Sequence, residues 1–235
     1  MDRIGGVTLV KMNDAQRQSL LGAIAISSGA SGLGNITPQQ RADAFTNLEQ
    51  FKTFNGRIAS CVEMIECSTL QIAGVGNAAI DVTVPGKLYA LGVIQEFLKV
   101  GYNSLNEADR VQLRSSIVRA ARQLAMPSNS ISPSQVKELT RILAVKIAAL
   151  LADLALREFP QRWQTFVSDL FLPVDNGGMW CNADAEAGVN TVGVKICLEC
   201  LKLITEDCTD SDYNSRVRKL GHRICCVSNE NPMLI

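Results

Sequence analysis

The chain contains 235 residues, of which 47% are hydrophobic and 20% are charged, so it can bury a sizeable core and is not disordered as a whole. Its 23 lysines and arginines balance its 23 aspartates and glutamates, which excludes a globally basic nucleic-acid-binding protein and a polyacidic tail protein. A single histidine, His222, argues against histidine-based catalytic triads and multi-histidine metal sites. We therefore expect no enzyme, no catalytic residue and no cofactor.

The first predicted element is a helix over 14–27, followed by a flexible, glycine-rich linker over 29–35. The next helix begins with a capping signature: Thr37 can accept a backbone N–H, Pro38 fits the first turn and Gln40 can close a capping box. The apolar stripe of this helix consists of Ala44, Phe45, Leu48 and Phe51.

Apolar residues at helical spacing predict five further helices. These cover 58–68, 87–100, 106–125, 134–154 and 191–206. Residues 69–86 contain three glycines and a proline, so the helical signal is poor there. Within them, residues 81–84 can be extended or form a weak helix, and both alternatives stay open. Loops are predicted over 126–133 and 173–187.

A corner is predicted at Pro160. Proline lacks an N–H donor and clashes with the preceding turn, so it ends the long helix before it, while its fixed φ suits the first turn of a new helix. In that new helix the apolar residues recur at i, i+3, i+4 and i+7, namely Trp163, Phe166, Val167 and Leu170. We predict that Pro160, Trp163 and Phe166 form a structural corner, with both aromatic rings in the core.

Eight cysteines are too few for a disulfide scaffold in a chain of this length, so we expect a reducing compartment and free, mostly buried thiols. The motif Cys197-x-x-Cys200 has metal-like spacing, but both residues fall on one apolar helical face, which favours core packing over a metal site or a redox site. A zinc site would draw its other ligands from Cys208, His222, Cys225 and Cys226. We therefore expect no metal.

The most apolar stretch, residues 142–156, is interrupted by Lys146 and Asp153. It is also shorter than the roughly 20 residues that a membrane-spanning helix requires. Residues 1–11 lack the long apolar region of a secretory signal. We therefore expect no membrane insertion.

Helix pairs start near residues 37, 87 and 134, at intervals of about 50 and 47 residues. Such a period, with two helices per unit, indicates a HEAT-type solenoid in which each pair buries its apolar face against the next. The sequence therefore predicts an all-α fold of HEAT-like helical repeats, an α-α superhelix of the ARM-repeat-like solenoid type.

Two segments resemble the N-terminal region of the exportins, in the importin-β superfamily. Residues 156–166, Leu-Arg-Glu-Phe-Pro-Gln-Arg-Trp-Gln-Thr-Phe, are similar to an exportin signature: an acidic-aromatic-proline step at a helix end, then a basic residue, a tryptophan and a phenylalanine. Residues 194–207 are similar to the helix that follows it in the family. The resemblance covers roughly residues 37–208 and is closest to the exportin-5 type, with the exportin-1 type still open.

This resemblance implies a receptor that binds GTP-bound Ran and takes part in nuclear export of protein or structured RNA cargo. It further implies contacts with nucleoporins and shuttling between nucleus and cytoplasm. We divide the chain into an N-terminal extension (1–35), an exportin-like HEAT-repeat domain (36–208) and an irregular tail (209–235). Family members are several times longer, so we expect a fragment. A HEAT-type scaffold or adaptor unrelated to transport is the alternative.

The resemblance also places the helix over 106–125 on the concave surface, where partners bind. Its arginines form two pairs at helical spacing, Arg110 with Arg114 and Arg119 with Arg122. Guanidinium groups suit the carboxylates of an acidic protein and the phosphates of RNA equally well. We predict that these four arginines bind a partner, with a solvated helix face as the alternative.

Overall fold

The structure is a computed structural model that describes residues 12–74, 79–125, 133–171 and 191–209. Within these ranges the chain forms eight α-helices and one small antiparallel sheet, which confirms the predicted all-α class of helical repeats. The helices are α1 (Asp14–Ser28), α2 (Pro38–Thr53), α3 (Arg57–Glu66), α4 (Thr83–Val100), α5 (Glu107–Ala125), α6 (Pro133–Glu158), α7 (Phe166–Phe171) and α8 (Thr191–Thr209). The strands are β1 (Gln71–Ala73) and β2 (Ala79–Asp81), with Ile72 paired to Ile80.

The helix starts and stops follow local side-chain chemistry. The backbone N–H of Gln40 donates to Thr37 Oγ1 at 3.2 Å, and Gln40 Oε1 accepts from the backbone N–H of Thr37 at 2.9 Å, which is the predicted capping box. Helix α1 carries the same device, built from Asn13 and Gln16. It ends at Gly29, whose φ of 67° lies in the left-handed region that glycine adopts without strain.

Two sequence predictions need correction. The helix predicted to start at 87 starts at Thr83 as α4, and the described residues before it, 69–74 and 79–82, contain β1 and β2. Pro85 is tolerated there because the first helical turn needs no intrahelical N–H donor. The helix predicted to begin at Pro160 begins only at Phe166, so the corner is a longer turn than the sequence indicates.

The helices are arranged in two layers, and neighbours within a layer run parallel. In the first layer Ile58 and Val62 of α3 face Leu113 of α5, while Glu66 at the end of α3 reaches Arg119 further along α5. Both helices therefore advance in the same direction.

The second layer contains α1, α4, α6 and α8. Gln95 of α4 contacts Lys146 of α6, and Asp153 of α6 lies within electrostatic range of Lys99 of α4 and Asp207 of α8. The contacts advance together along α4 and α6, and the C-terminal parts of α6 and α8 lie together. Helices α4, α6 and α8 of this layer therefore run parallel.

Helices from opposite layers pair antiparallel. Arg57 at the start of α3 packs over the ring of Phe97 near the end of α4, whereas Cys67 after α3 lies close to Lys87 near the start of α4. Antiparallel pairs stacked on parallel neighbours are the arrangement of a HEAT-like solenoid.

The repeat unit is displaced by one helix from the predicted pairs. The sequence pairs α2 with α3, but α3 packs broadly on α4 and α5 on α6, while α2 touches α3 only slightly and packs on α1. The apolar periodicity locates helices without indicating which neighbour each one contacts, because every helix in a stack faces several others.

Helix α1 lies in the core, although the sequence places it in an N-terminal extension. Leu20, Leu21 and Ile24 are buried, and the helix packs on α2 and α4. Arg17 also pairs with Glu63 of α3 at 3.2 Å. In the described residues no helix is long and apolar enough to cross a membrane.

Candidate interaction surface at α5 and the α6–α7 corner

Helix α5 extends its four arginines toward two different environments. The side chains of Arg110 and Arg114 are only 11% and 16% exposed, and they contact Tyr102 and Glu158 respectively. Those of Arg119 and Arg122 are 59% and 32% exposed. The structure therefore separates two arginines held in the interior from two that solvent can reach.

Arg114 neutralises a carboxylate that is completely buried. Its Nη1 donates to Glu158 Oε2 at 2.5 Å and to the carbonyl oxygen of Arg162 at 3.1 Å, and the Glu158 side chain has no solvent exposure. Glu158 is the last residue of α6, where the helix dipole disfavours an anion. The guanidinium of Arg114 thus compensates both the burial and the dipole.

Tyr102 completes the surroundings of Glu158. Its hydroxyl donates to Glu158 Oε1. The guanidinium carbons of Arg110 and Arg157 lie 5.5 Å and 5.9 Å from the centroid of its ring. Burial, followed by the hydrogen bond to Glu158, raises the pKa of Tyr102. The phenol therefore stays protonated and serves as a hydrogen-bond donor.

The predicted corner places its aromatic rings in the core. After α6 ends, the carbonyl oxygen of Glu158 accepts from the backbone N–H groups of Arg162 and Trp163, and the Phe159–Pro160 peptide bond in this turn is cis. Trp163 is 1% exposed, and its ring meets that of Phe166 edge-on at 4.9 Å. The guanidinium of Arg114 lies over the Trp163 ring, so α5 and the corner share one cluster.

Asp169 of α7 also stabilises the corner, through hydrogen bonds and an ion pair. Its Oδ2 accepts from Trp163 Nε1 at 2.7 Å and from Thr165 Oγ1 at 3.0 Å. Its Oδ1 lies 3.6 Å from Arg122 Nη2. Asp169 therefore joins the buried tryptophan to the exposed end of α5.

Comparison with known families bears on this region. Residues 140–223 match the family model described as Exportin 1-like protein. This stretch is exportin-like. The match includes Glu158, Trp163 and Asp169 and lies outside α5, and it spans less than half of the chain. It supports an assignment to the importin-β and exportin family of transport receptors. No curated protein and no solved structure matches the chain.

The exportin-like stretch also contains the Cys-x-x-Cys motif. Cys197 and Cys200 are both buried, and Cys197 Sγ contacts the carbonyl oxygen of Leu170 at 3.1 Å, so they occupy the core as the sequence favours. Burial raises the pKa of the Cys200 thiol to about 12. No group of three potential metal ligands occurs among the described residues. The proposed additional zinc ligands, Cys208, His222, Cys225 and Cys226, lie where the structure describes no side chains.

The sequence missed the acidic partners of the α5 arginines. Glu158, Asp169 and Glu66 each form an ion pair with an arginine of α5. Each acid is distant from its arginine in the sequence, so no local spacing predicts the pair. Glu158 does stand inside the exportin-like signature, next to the corner proline. That position was the one available signal, because an acid at a helix C-terminus opposes the helix dipole and needs a partner.

Proposed function

We propose that this chain is the helical-repeat part of an exportin-like nuclear transport receptor. It would bind GTP-bound Ran and take part in export of protein or structured RNA cargo, contacting nucleoporins and shuttling between nucleus and cytoplasm. The observation that carries this proposal is the exportin-like match over 140–223, which falls on α6, the corner and α8 of a two-layer helical stack. Its activity is binding, not catalysis.

The stack offers a physical basis for such binding. Rigid helices hold the side chains of adjacent units at fixed spacing, so a large partner can contact several units at once. If Ran and cargo each favour the same curvature of the stack, each raises the affinity of the other. This coupling is the behaviour expected of an export receptor.

Nucleotide-dependent binding of Ran tests the proposal. Immobilised Ran loaded with a non-hydrolysable GTP analogue is expected to retain more of the chain than Ran loaded with GDP. The double variant Arg119→Ala/Arg122→Ala should weaken retention, while Arg41→Ala, on the exposed surface of α2, serves as the matched control. Equal retention by both nucleotide states would contradict the proposal.

A helical scaffold unrelated to transport is the second candidate. It is favoured by the engagement of Arg110 and Arg114 inside the protein, which leaves fewer of the predicted arginines for a partner. A scaffold would be indifferent to the nucleotide on Ran, so the same binding assay separates the two functions.

A further inference from the structure

Arg119 and Arg122 are the two arginines of α5 whose intramolecular partners can be exchanged. Arg119 Nη1 donates to Glu66 Oε1 at 3.0 Å, and the two side chains are 59% and 30% exposed. Ion pairs as exposed as this one contribute about 0–1 kcal/mol, so another carboxylate can replace Glu66 at little cost.

Arg122 is held even less firmly. Its Nη2 lies 3.6 Å from Asp169 Oδ1, which is an ion-pair distance beyond a good hydrogen bond. Its Nε is buried without an acceptor among the described residues. Asp169 already accepts from Trp163 and Thr165 through Oδ2, so it keeps its position when Arg122 turns away.

Arg114 provides the contrast on the same helix. Its removal from Glu158 would leave a carboxylate without solvent or cation, which is strongly unfavourable. The structure thus assigns Arg114 to stability and leaves Arg119 and Arg122 for exchange.

We propose that Arg119 and Arg122 form a carboxylate-binding pair for an acidic segment of a partner protein, and that Glu66 and Asp169 occupy the pair while the partner is absent. The pair lies one turn apart on α5, with Glu66 approaching from α3 and Asp169 from α7. This inference deepens the proposed function, because it concerns the same α5 surface, but it does not require the partner to be Ran.

The local charges favour a protein partner over RNA. Among the described residues of this surface, Glu66 and Asp169 balance the charges of Arg119 and Arg122, so these four residues supply no excess positive charge to attract a dense line of phosphates. The ligands that the arginines already hold are single carboxylates, whose planar geometry matches the guanidinium. An acidic side chain that replaces Glu66 or Asp169 one contact at a time fits this surface better than a polyanion.

Removing the charges of the acids that pair with Arg119 and Arg122 tests the inference. Binding of a fluorescein-labelled glutamate-rich peptide is measured by anisotropy at low ionic strength. Glu66→Gln and Asp169→Asn should each raise the affinity several-fold, and Arg119→Ala/Arg122→Ala should lower it by about tenfold, the equivalent of 1.4 kcal/mol. Glu63→Gln, whose carboxylate pairs with Arg17 on α1, is the matched control and should leave the affinity unchanged.

Three results would overturn the inference. These are equal affinities for the wild type and Glu66→Gln, equal losses from Arg41→Ala and from the α5 double variant, or tighter arginine-dependent binding of polyuridine than of the acidic peptide. Circular dichroism of each variant verifies that it is folded. The peptide assay contains no Ran, so the two proposals can fail separately. If Ran is retained equally in both nucleotide states while Glu66→Gln and Asp169→Asn still raise the peptide affinity, only the proposed function is overturned. If Ran retention depends on the nucleotide while these variants leave the peptide affinity unchanged, only this inference is overturned.

Discussion

The guanidinium of Arg114 covers the buried carboxylate of Glu158, with 2.5 Å between Nη1 and Oε2. The two residues are 44 positions apart in sequence, on α5 and at the last residue of α6. Tyr102 and Trp163 pack on the same cluster, so one ion pair joins the helix pair to the corner. Its energetic role differs sharply from that of the exposed pairs on α5.

We expect Glu158→Gln to lower the free energy of unfolding by about 3–5 kcal/mol, because the change leaves Arg114 largely buried without its anion. Urea unfolding followed by circular dichroism measures the loss. The exposed pair of Arg119 and Glu66 is the matched control, and Glu66→Gln should cost no more than about 1 kcal/mol. Similar losses for the two variants would contradict this assignment.

Replacing the whole buried cluster with apolar residues should recover stability. Arg114→Met/Glu158→Leu/Tyr102→Phe removes the buried ion pair together with the hydroxyl that binds it, and Arg110 keeps its pairing with Glu107, so we expect unfolding close to that of the wild type. A triple variant as unstable as Glu158→Gln would indicate that the cluster stabilises through its charges and not merely through occupied volume. The same urea titration gives the answer.

Trp163 should be among the most costly residues to truncate. It is 1% exposed and contacts both Phe166 and Arg114, so Trp163→Ala is expected to lose about 3–5 kcal/mol. Trp163→Phe keeps much of the ring but loses the donor to Asp169 Oδ2, which should cost about 1–2 kcal/mol plus some packing. Val167→Ala, at a residue that is 51% exposed, should change the melting temperature little.

Asp153 should make the protein less stable as the pH rises. Burial, and then Asp207, raise the pKa of this carboxyl against the opposing effect of Arg157 and Lys99. The folded state therefore binds this proton more tightly than the unfolded state, so the ionised form costs stability above the raised pKa and the cost vanishes below the unfolded value. Asp153→Asn should be more resistant to urea than the wild type at pH 7, and the difference should shrink below about pH 4. A difference independent of pH would refute this interpretation.

The cysteines should differ in their reaction with iodoacetamide at pH 8. Cys61 and Cys200 are buried, and burial raises the pKa of both thiols, which leaves little thiolate for alkylation. Cys67 is only partly buried and should be modified before both of them. Peptide mass spectrometry of the native protein measures the order, and the same reaction in urea, where all thiols should react, is the control. Early modification of Cys200 would show that this face of α8 is not packed against α6 and α5 as described.

Local sequence signals predicted the helices well, because capping residues and apolar periodicity act within a few residues of each other. The capping box of Thr37 and Gln40 formed as predicted, and Trp163 and Phe166 are both buried. Phe45 is an exception: it belongs to the predicted apolar stripe of α2 but is 57% exposed. A stripe identifies one face of a helix, while the width of that face covered by neighbours depends on where the helix stands in the stack.

Residues 69–86 are a segment whose structure the local sequence did not predict. Their glycines and Pro85 are typical of breaks, yet Leu70 and Thr83 are joined by a 2.8 Å hydrogen bond, and β1 pairs with β2 beside the start of α4. Strands of three residues are too short to show alternation in sequence. Their pairing is stabilised by the surrounding helices, with Ile72 and Ile80 buried against the core.

The sequence by itself determined that the chain is a series of amphipathic helices with an aromatic corner after α6, because periodicity, caps and proline geometry act over a few residues. Only the tertiary structure decided which helices pair and which arginines of α5 are interior. Arg114 and Arg119 are alike in their local sequence, but one meets a buried acid and the other an exposed one. Packing brings those acids from distant positions, and the solvent that remains around each pair sets its energy.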